Sequence, residues 1–390
     1  METTPSSPAS VSASDICFEW LQLPRDLGRV RGLDDHLAVV LRALLGEAAA
    51  AADGLVPVIA GMYAGKTVVL AHCFEQLASL PLRLGEKILW EPTLPALRLS
   101  PIAQDGIRSD ADARALLAFL HASAPKRALV LTEADTEGHL FRAVMQMDEK
   151  AFLLARNEPD THLFHRFGDS YEAFFKQRSS KYRNQLRKND KVFAAYFLGE
   201  TQVREYRKPG EVAEFLTAAK AINRKTYQFR MFGETVDDDA ASVAAACLDA
   251  EAGNFRSFIL WHDGQPVCFV LGRQRANGMF EYRKTGFDPA RRDGEPGIQT
   301  TKLMLHMLYA DDKPCLIDFG SGDSFFKRLF SNEAKTTVSP MVLPRIARFR
   351  LAAGLYETST ALNTGAIRVL ERTGAKSALK RMLRRGGSSP

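Results

Sequence analysis

The sequence predicts an α/β (α+β) protein of two domains, each a mixed central sheet flanked by helices, and three observations predict it. A chain of 390 residues exceeds what one hydrophobic core usually organises. Its apolar content of 46% can fill two cores, yet no apolar run approaches the length that spans a bilayer. Stretches of two-residue alternation are interleaved with stretches of helical periodicity, and the pattern starts afresh after Asp160.

Residues 1–16 are expected to be a disordered leader, because Met1 to Ser14 is rich in Ser, Thr and Pro and has neither a basic flank nor an apolar stretch. From residue 17 the periodicity predicts a helix over 36–51 and a hairpin over 56–73. Helices follow at 111–122 and 137–145, each trailed by a strand, at 128–132 and 150–156. The hairpin turn, Tyr63 to Lys66, lies in a string resembling a phosphate loop (Gly61 to Thr67). That string is one residue short and has no helix directly after it, which excludes an ATPase. The second half predicts a helix over 170–189, a long strand region over 192–206 and a helix over 211–227. A strand pair at 256–262 and 267–273 turns at Asp263 and Gly264. After a strand over 279–285 come a helix over 297–309, a strand over 315–319, a helix over 324–330 and a strand over 337–343. The expected organisation is a first domain over 17–160, a second over 161–345 and a basic helical tail over 346–390. The similar element order suggests duplication, without identity between the halves.

Five scattered cysteines with no Cys-x-x-Cys pair, and no His at ligand spacing, predict a reduced cytosolic chain without structural zinc. His72, His162 and His165 have no partners at useful spacing and read as ordinary buried or exposed histidines. The net charge of +6 is concentrated: residues 341–390 hold ten Lys or Arg against Glu357 and Glu371, so the rest of the chain sums to −2. With Leu379, Met382 and Leu383 opposite its cations, the tail is either a solubilising extension or an anchor for an anionic membrane surface or envelope assembly.

The segment that carries chemistry runs from Glu281 to Phe330. A β-prone run feeds a loop with Gly294, Pro296 and Gly297, and the loop opens a helix whose first-turn N–H groups lack partners, a natural seat for a pyrophosphate. Gly297, Ile298, Gln299 and Thr300 are the expected donors. Downstream, Asp318 interrupts a second β-prone run just before Gly320, Gly322 and Asp323, a backbone opening at a strand's carboxyl end. An ion pair of Asp318 with Arg283 or Lys327 is the competing reading. Alternation sets Glu281, Arg283 and Thr285 on one face of their strand, with Tyr282 and Lys284 on the other.

The Gly320-x-Gly322-Asp323-x-x-x-Lys327 string, the Pro296–Gly297 helix start and the basic run from Tyr182 to Lys188 together resemble the GNAT-type acetyltransferases often labelled BioF2-like or CelD-like, which are related to the FemAB peptidoglycan transferases. The resemblance covers Phe167 to Leu343, and the first half only in layout. It implies tandem GNAT-like folds with the second catalytic. It also implies acetyl-CoA or another acyl-CoA as co-substrate, no metal, and a small-molecule, glycan or peptide amine or hydroxyl as acceptor. Matching positions nominate Asp323 and Lys327 as site residues, beside Glu281 and Asp318 as candidate proton acceptors. Tyr182, Arg183 and Arg283 are candidate substrate contacts. The family's pyrophosphate loop aligns approximately with Arg292 to Gly297. Two alternatives stand beside acyl-CoA transfer: an aminoacyl-tRNA-dependent transferase using the basic helix near Arg183, and a non-catalytic accessory protein of the same fold.

Overall fold

The computed structural model describes residues 15–372, apart from 52, 85–86, 149, 156–158, 227–228, 230–232 and 234. Of the basic helical tail expected over 346–390, residues 373–390 lie outside the described residues, as do the leader residues before 15. The first half contains β1 (Cys17–Leu23), α1 (Asp35–Ala50), β2 (Val56–Tyr63), β3 (Lys66–Ser79), the small hairpin β4 (Leu82–Leu84) and β5 (Lys87–Trp90), and β6 (Thr93–Leu99). It continues with α2 (Pro101–Asp105), α3 (Asp110–Ser123), β7 (Ala128–Leu131), β8 (Ala134–Asp135), α4 (His139–Met145) and β9 (Phe152–Ala155). The second contains β10 (Asp160–Arg166), α5 (Tyr171–Gln177), α6 (Ser180–Tyr196), β11 (Thr201–Tyr206), α7 (Pro209–Asn223), α8 (Ala240–Glu251), β12 (Ser257–His262), β13 (Gln265–Gln274) and β14 (Met279–Phe287). After these come α9 (Pro296–Ala310), β15 (Leu316–Ser321), α10 (Phe325–Phe330), β16 (Glu333–Val338), β17 (Met341–Pro344) and α11 (Ala347–Arg372).

Two mixed sheets result, ordered β1-β2-β3-β6-β7-β17-β9 and β11-β12-β13-β14-β15-β10-β16-β8. Each contains one parallel step, β6 beside β7 and β14 beside β15, among antiparallel neighbours. In both, helices carry the chain between the parallel strands, as parallel pairing demands. The sheets also exchange strands across the expected boundary near residue 160. The first-half strand β8 pairs with β16, and the late strand β17 lies between β7 and β9.

Three expected elements differ. Residues 192–196 are helical, because Phe193 and Phe197 stack at i, i+4 spacing (4.7 Å) on the side of α6 that buries Leu186 and Asn189. The helix over 170–189 is broken at Arg178, whose extended backbone ends α5 before α6 starts. The strand over 337–343 is two strands in different sheets, parted at Ser339 and Pro340, where proline cannot donate to a ladder. The Tyr63–Lys66 turn is a hairpin as expected, with Ala64 and Gly65 in the left-handed region. Among the described residues no helix is long and apolar enough to cross a membrane.

The second core packs α9 and α10 onto β10, β14 and β15 around Phe280, Met304, Ile317 and Phe330. His165 is fully buried there. Its Nδ1–H donates to the Phe330 carbonyl (2.8 Å) and its Nε2 accepts from the Tyr309 hydroxyl (3.0 Å), so the neutral ring satisfies both partners. Burial pushes its pKa down to about 4. The unfolded chain therefore binds a proton near pH 6.5 that the folded chain refuses until about pH 4. Stability is full above the unfolded pKa and falls as pH drops through that window, by about 3 kcal/mol. Urea titrations should show this loss between pH 6.5 and 4 and a shallower loss in His165→Gln. Equal slopes in the two proteins would refute the assignment.

Candidate active site

The parallel pairing of β14 with β15 is short: Met279 faces Leu316, Phe280 faces Ile317, Glu281 faces Asp318, and there it stops although both strands run on. On β14 the ladder to β13 slips by one residue at Arg283, a bulge that sharpens the local twist. On β15 the chain bends through Gly320 and Gly322, whose φ of +74° and +98° few side chains would tolerate. Lys327 reaches back from α10 and donates to the carbonyls of Gly320 (3.2 Å) and Ser321 (2.6 Å), holding that bend. From Tyr282 onward, therefore, the edge of β14 that had faced β15 has no strand partner among the described residues. Such an edge can take an extended, amide-bearing arm as a substitute strand.

That edge leads into the loop 288–295, which turns through Glu295 in the left-handed region and opens α9. Gln299 N–H is spent on the Glu295 carbonyl (3.3 Å), and the helical ladder takes the N–H groups from Thr300 on. Only Gly297 and Ile298 retain N–H groups without an intrahelical acceptor, with Arg291 and Arg292 in the preceding turn. The open strand edge thus ends at two unpaired N–H donors, with two arginines in the turn just before them. The side chains of Gln299 and Thr300 take no part. Gln299 donates to Asp190 (2.7 Å) and Thr300 to the Pro296 carbonyl (2.8 Å), both buried.

The side chains of Glu281 and Asp318 enter a cleft of about 370 Å³ between the two sheets, lined also by Asp105, Glu133, His162 and Arg275. The antiparallel pairing of β10 with β15 is bulged between His162 and Phe164, and the His162 ring stacks on Phe164 (4.7 Å, 7°). Its Nε2–H donates to the Asp318 carboxylate, which also accepts the Gly320 N–H (2.7 Å). The other nitrogen, Nδ1, is buried with no hydrogen-bond partner among the described residues and lies 4.0 Å from the Glu133 carboxylate. Burial raises the Glu133 carboxyl, His162 pulls it back, and the charges of Asp318 and Glu281 push it up again. Burial likewise lowers Lys327, against the pull of Asp160, Asp318 and Glu133.

The expected site residues thus divide. Glu281 and Asp318 are neighbours in register, but Glu281 is bound by Arg275 (2.6 Å), and the partner of Asp318 is His162 and neither Arg283 nor Lys327. Lys327 braces the bend. Asp323 is outside the cleft, paired at the surface with Arg328, which holds its carboxyl below the usual range. The Ser324 cap turns α10 so that Arg328, and not Lys327, faces Asp323. Arg183 donates to the Lys176 (3.0 Å) and Arg178 (2.7 Å) carbonyls at the end of α5, and Tyr182 lies between Arg178 (4.7 Å) and Phe325 (6.2 Å). The bulge takes Arg283 out of alternation, to the solvent and away from the cleft. His162, read from the sequence as an ordinary histidine, and Glu133, which the sequence reading passes over, both line the cleft. Among the described residues no group of His, Cys, Asp and Glu could hold a metal ion.

Residues 180–328 match the family model described as an acetyltransferase (GNAT) domain. The comparison with curated proteins gives no match. Among solved structures, FemX is 11% identical over 74% of this chain and 87% of its own, with a TM-score of 0.50, a likeness of fold alone. A tandem GNAT protein from the clavulanic acid biosynthesis pathway is 11% identical, covering 83% of this chain and 98% of its own, with a TM-score of 0.42. The C-terminal domain of a putative lysylphosphatidylglycerol synthetase from Agrobacterium fabrum is 8% identical over 74% and 85%, with a TM-score of 0.44.

The loop's two glycines should respond differently to a methyl group. A Cβ at Gly294 would lie 2.5 Å from the Phe197 ring and 2.7 Å from Tyr196, whose hydroxyl already binds the Ala290 carbonyl, whereas one at Gly297 meets only Phe287 at 3.7 Å. Gly294→Ala should cost about 1–3 kcal/mol in denaturant unfolding, and Gly297→Ala less than about 1 kcal/mol. The reverse order would show that the loop is seated otherwise.

Proposed function

We propose that this chain is an acyltransferase that moves an acyl group, acetyl in the simplest case, from acyl-CoA to an amine or hydroxyl acceptor. The observation that carries the reading is the parting of β14 from β15 immediately after Glu281 and Asp318. One opening there joins a free strand edge, unpaired donors at the start of α9 and a polar cleft on the far side of the sheet. The GNAT match over residues 180–328 supports the same reading.

Bound acyl-CoA would supply a thioester whose carbonyl carbon is open to attack. The chain's part is to hold and orient it. The β14 backbone from Tyr282 to Phe287 fixes the arm, Gly297 and Ile298 N–H with Arg291 and Arg292 take the phosphates, and Tyr282 and Phe319 (ring centroids 5.3 Å apart) close the floor of the gap against water. The aminoacyl-tRNA alternative is weaker, since Arg183 of the basic helix, and Arg178 just before it, are engaged with backbone carbonyls. A non-catalytic role leaves the orphaned His162 nitrogen without a use.

Calorimetry should detect micromolar binding of acetyl-CoA and CoA, weakened about tenfold or more in Gly297→Trp, where bulk blocks the approach to the helix start. Absence of heat with both ligands for the wild-type protein would overturn the reading.

A further inference from the structure

We propose that the cleft between the two sheets is the acceptor site, that the acceptor enters it as a primary ammonium, and that Nδ1 of His162 takes its proton. The proposal rests on the acyltransferase reading and names the substrate class and the base that reading leaves open.

The geometry gives His162 one defined tautomer. Nε2 faces the Asp318 carboxylate, an acceptor without protons to give, so Nε2 carries the hydrogen and Nδ1 presents its lone pair. The side chain is 4% exposed, yet Nδ1 has no hydrogen-bond partner. A buried acceptor left empty is costly, and such atoms in folded proteins usually await a ligand or water. Glu133 Oε2, 4.0 Å away, is too far to bond Nδ1 but near enough for one donor group to reach both. Glu133 itself has a φ of +48°, uncommon for a residue with a side chain. It is fixed there by its N–H bond to the Ser339 hydroxyl (3.0 Å), and local strain of this kind is often kept where a side chain must be aimed.

Charge selects the acceptor. Around His162 stand Asp318, Glu281, Glu133, Lys335 and Lys327. Glu281 is matched by Arg275, Lys335 by Asp135 (3.3 Å), and Lys327 is bound to carbonyls. Among the described residues no Lys or Arg lies within ion-pair distance of Glu133 or of Asp105, which opens into the same cleft; Lys327 acts on the first, and Lys335, His36 and Arg275 on the second, only at longer range, and burial raises both carboxyls. An ammonium supplies both a positive charge for these carboxylates and a proton for Nδ1; a hydroxyl supplies no charge. In the reaction, one proton passes from the ammonium to Nδ1. The freed nitrogen lone pair forms the C–N bond to the thioester carbonyl carbon as the C–S bond breaks, its pair leaving on sulfur. The second nitrogen proton goes to that sulfur, giving an amide and CoA thiol, and His162 returns its proton to water. The amide is neutral, so the acidic cleft no longer holds it.

The test supplies acetyl-CoA with 1,4-diaminobutane, ethanolamine or a lysyl peptide, each against a hydroxyl or norleucyl analogue, and reads released CoA thiol. Amines should raise release at least about tenfold over water and their analogues should not. His162→Gln should lower kcat about a hundredfold or more, while Glu133→Gln acts mainly on the amine KM, raising it about tenfold. Nitrogen-15 spectra of the wild-type imidazole at pH 8 should show a protonated Nε2 and a bare Nδ1, a readout that survives if His162→Gln fails to fold. Turnover of hydroxyl analogues equal to amines, bound acetyl-CoA with no amine consumed, an unchanged rate in His162→Gln, or a protonated Nδ1 would each overturn the proposal. Failure of acetyl-CoA to bind would instead overturn the acyltransferase reading.

Discussion

Ser339 and Pro340 are all that separates β16, in one sheet, from β17, in the other. A two-residue link between strands of different sheets allows little freedom of separation, and its backbone is tied down on the first-half side: Leu131 N–H donates to the Pro340 carbonyl and Glu133 N–H to the Ser339 hydroxyl. The cleft exists because of this crossing. It brings the turn after β7, and with it Glu133, against the β10–β15 pair that carries His162 and Asp318. Without the exchange, the second sheet would present Asp318 to open water and the first would have no reason to contribute a carboxylate.

A second tie runs on the other side of the cleft. Arg273, with its side chain 10% exposed, is held by Glu47 of α1 (2.7 Å) and Asp249 of α8 (2.8 Å), and Arg275 bridges Glu47 to Glu281. Enclosed ion pairs of this kind repay little of their desolvation as stability, but they fix registry, since any slip leaves charges unpaired. Here the registry is that of the first half's helix on the strand that bears the candidate site.

The sequence made the layers and the order of elements legible, because alternation and helical periodicity are local. The hairpin at Ala64 and Gly65, the helix from Pro296 and the bend at Gly320 and Gly322 were all written in residue types that few other conformations favour. Partners chosen by tertiary pairing were not. His162 and Asp318 are 156 residues apart and meet through a bulged strand pair that no spacing rule describes. Asp323 and Arg183, though correctly read as charged residues near functional motifs, are consumed by Arg328 and by helix-end carbonyls, choices set by cap geometry. Glu133 carried no signal, since its left-handed φ is imposed from outside, by Ser339.

Glu281 and Asp318 make the final point. They are register partners on parallel strands at the point of parting, so two carboxylates would repel there unless each were neutralised. The fold gives them different cations. Glu281 receives Arg275, whose guanidinium donates to its carboxylate (2.6 Å). Asp318 receives His162, whose second nitrogen is free to gain and lose a proton while the first stays bound. Pairing one carboxylate with an arginine and the other with a histidine therefore places one imidazole at the parting point, with its second nitrogen turned toward Glu133 (4.0 Å) in the cleft.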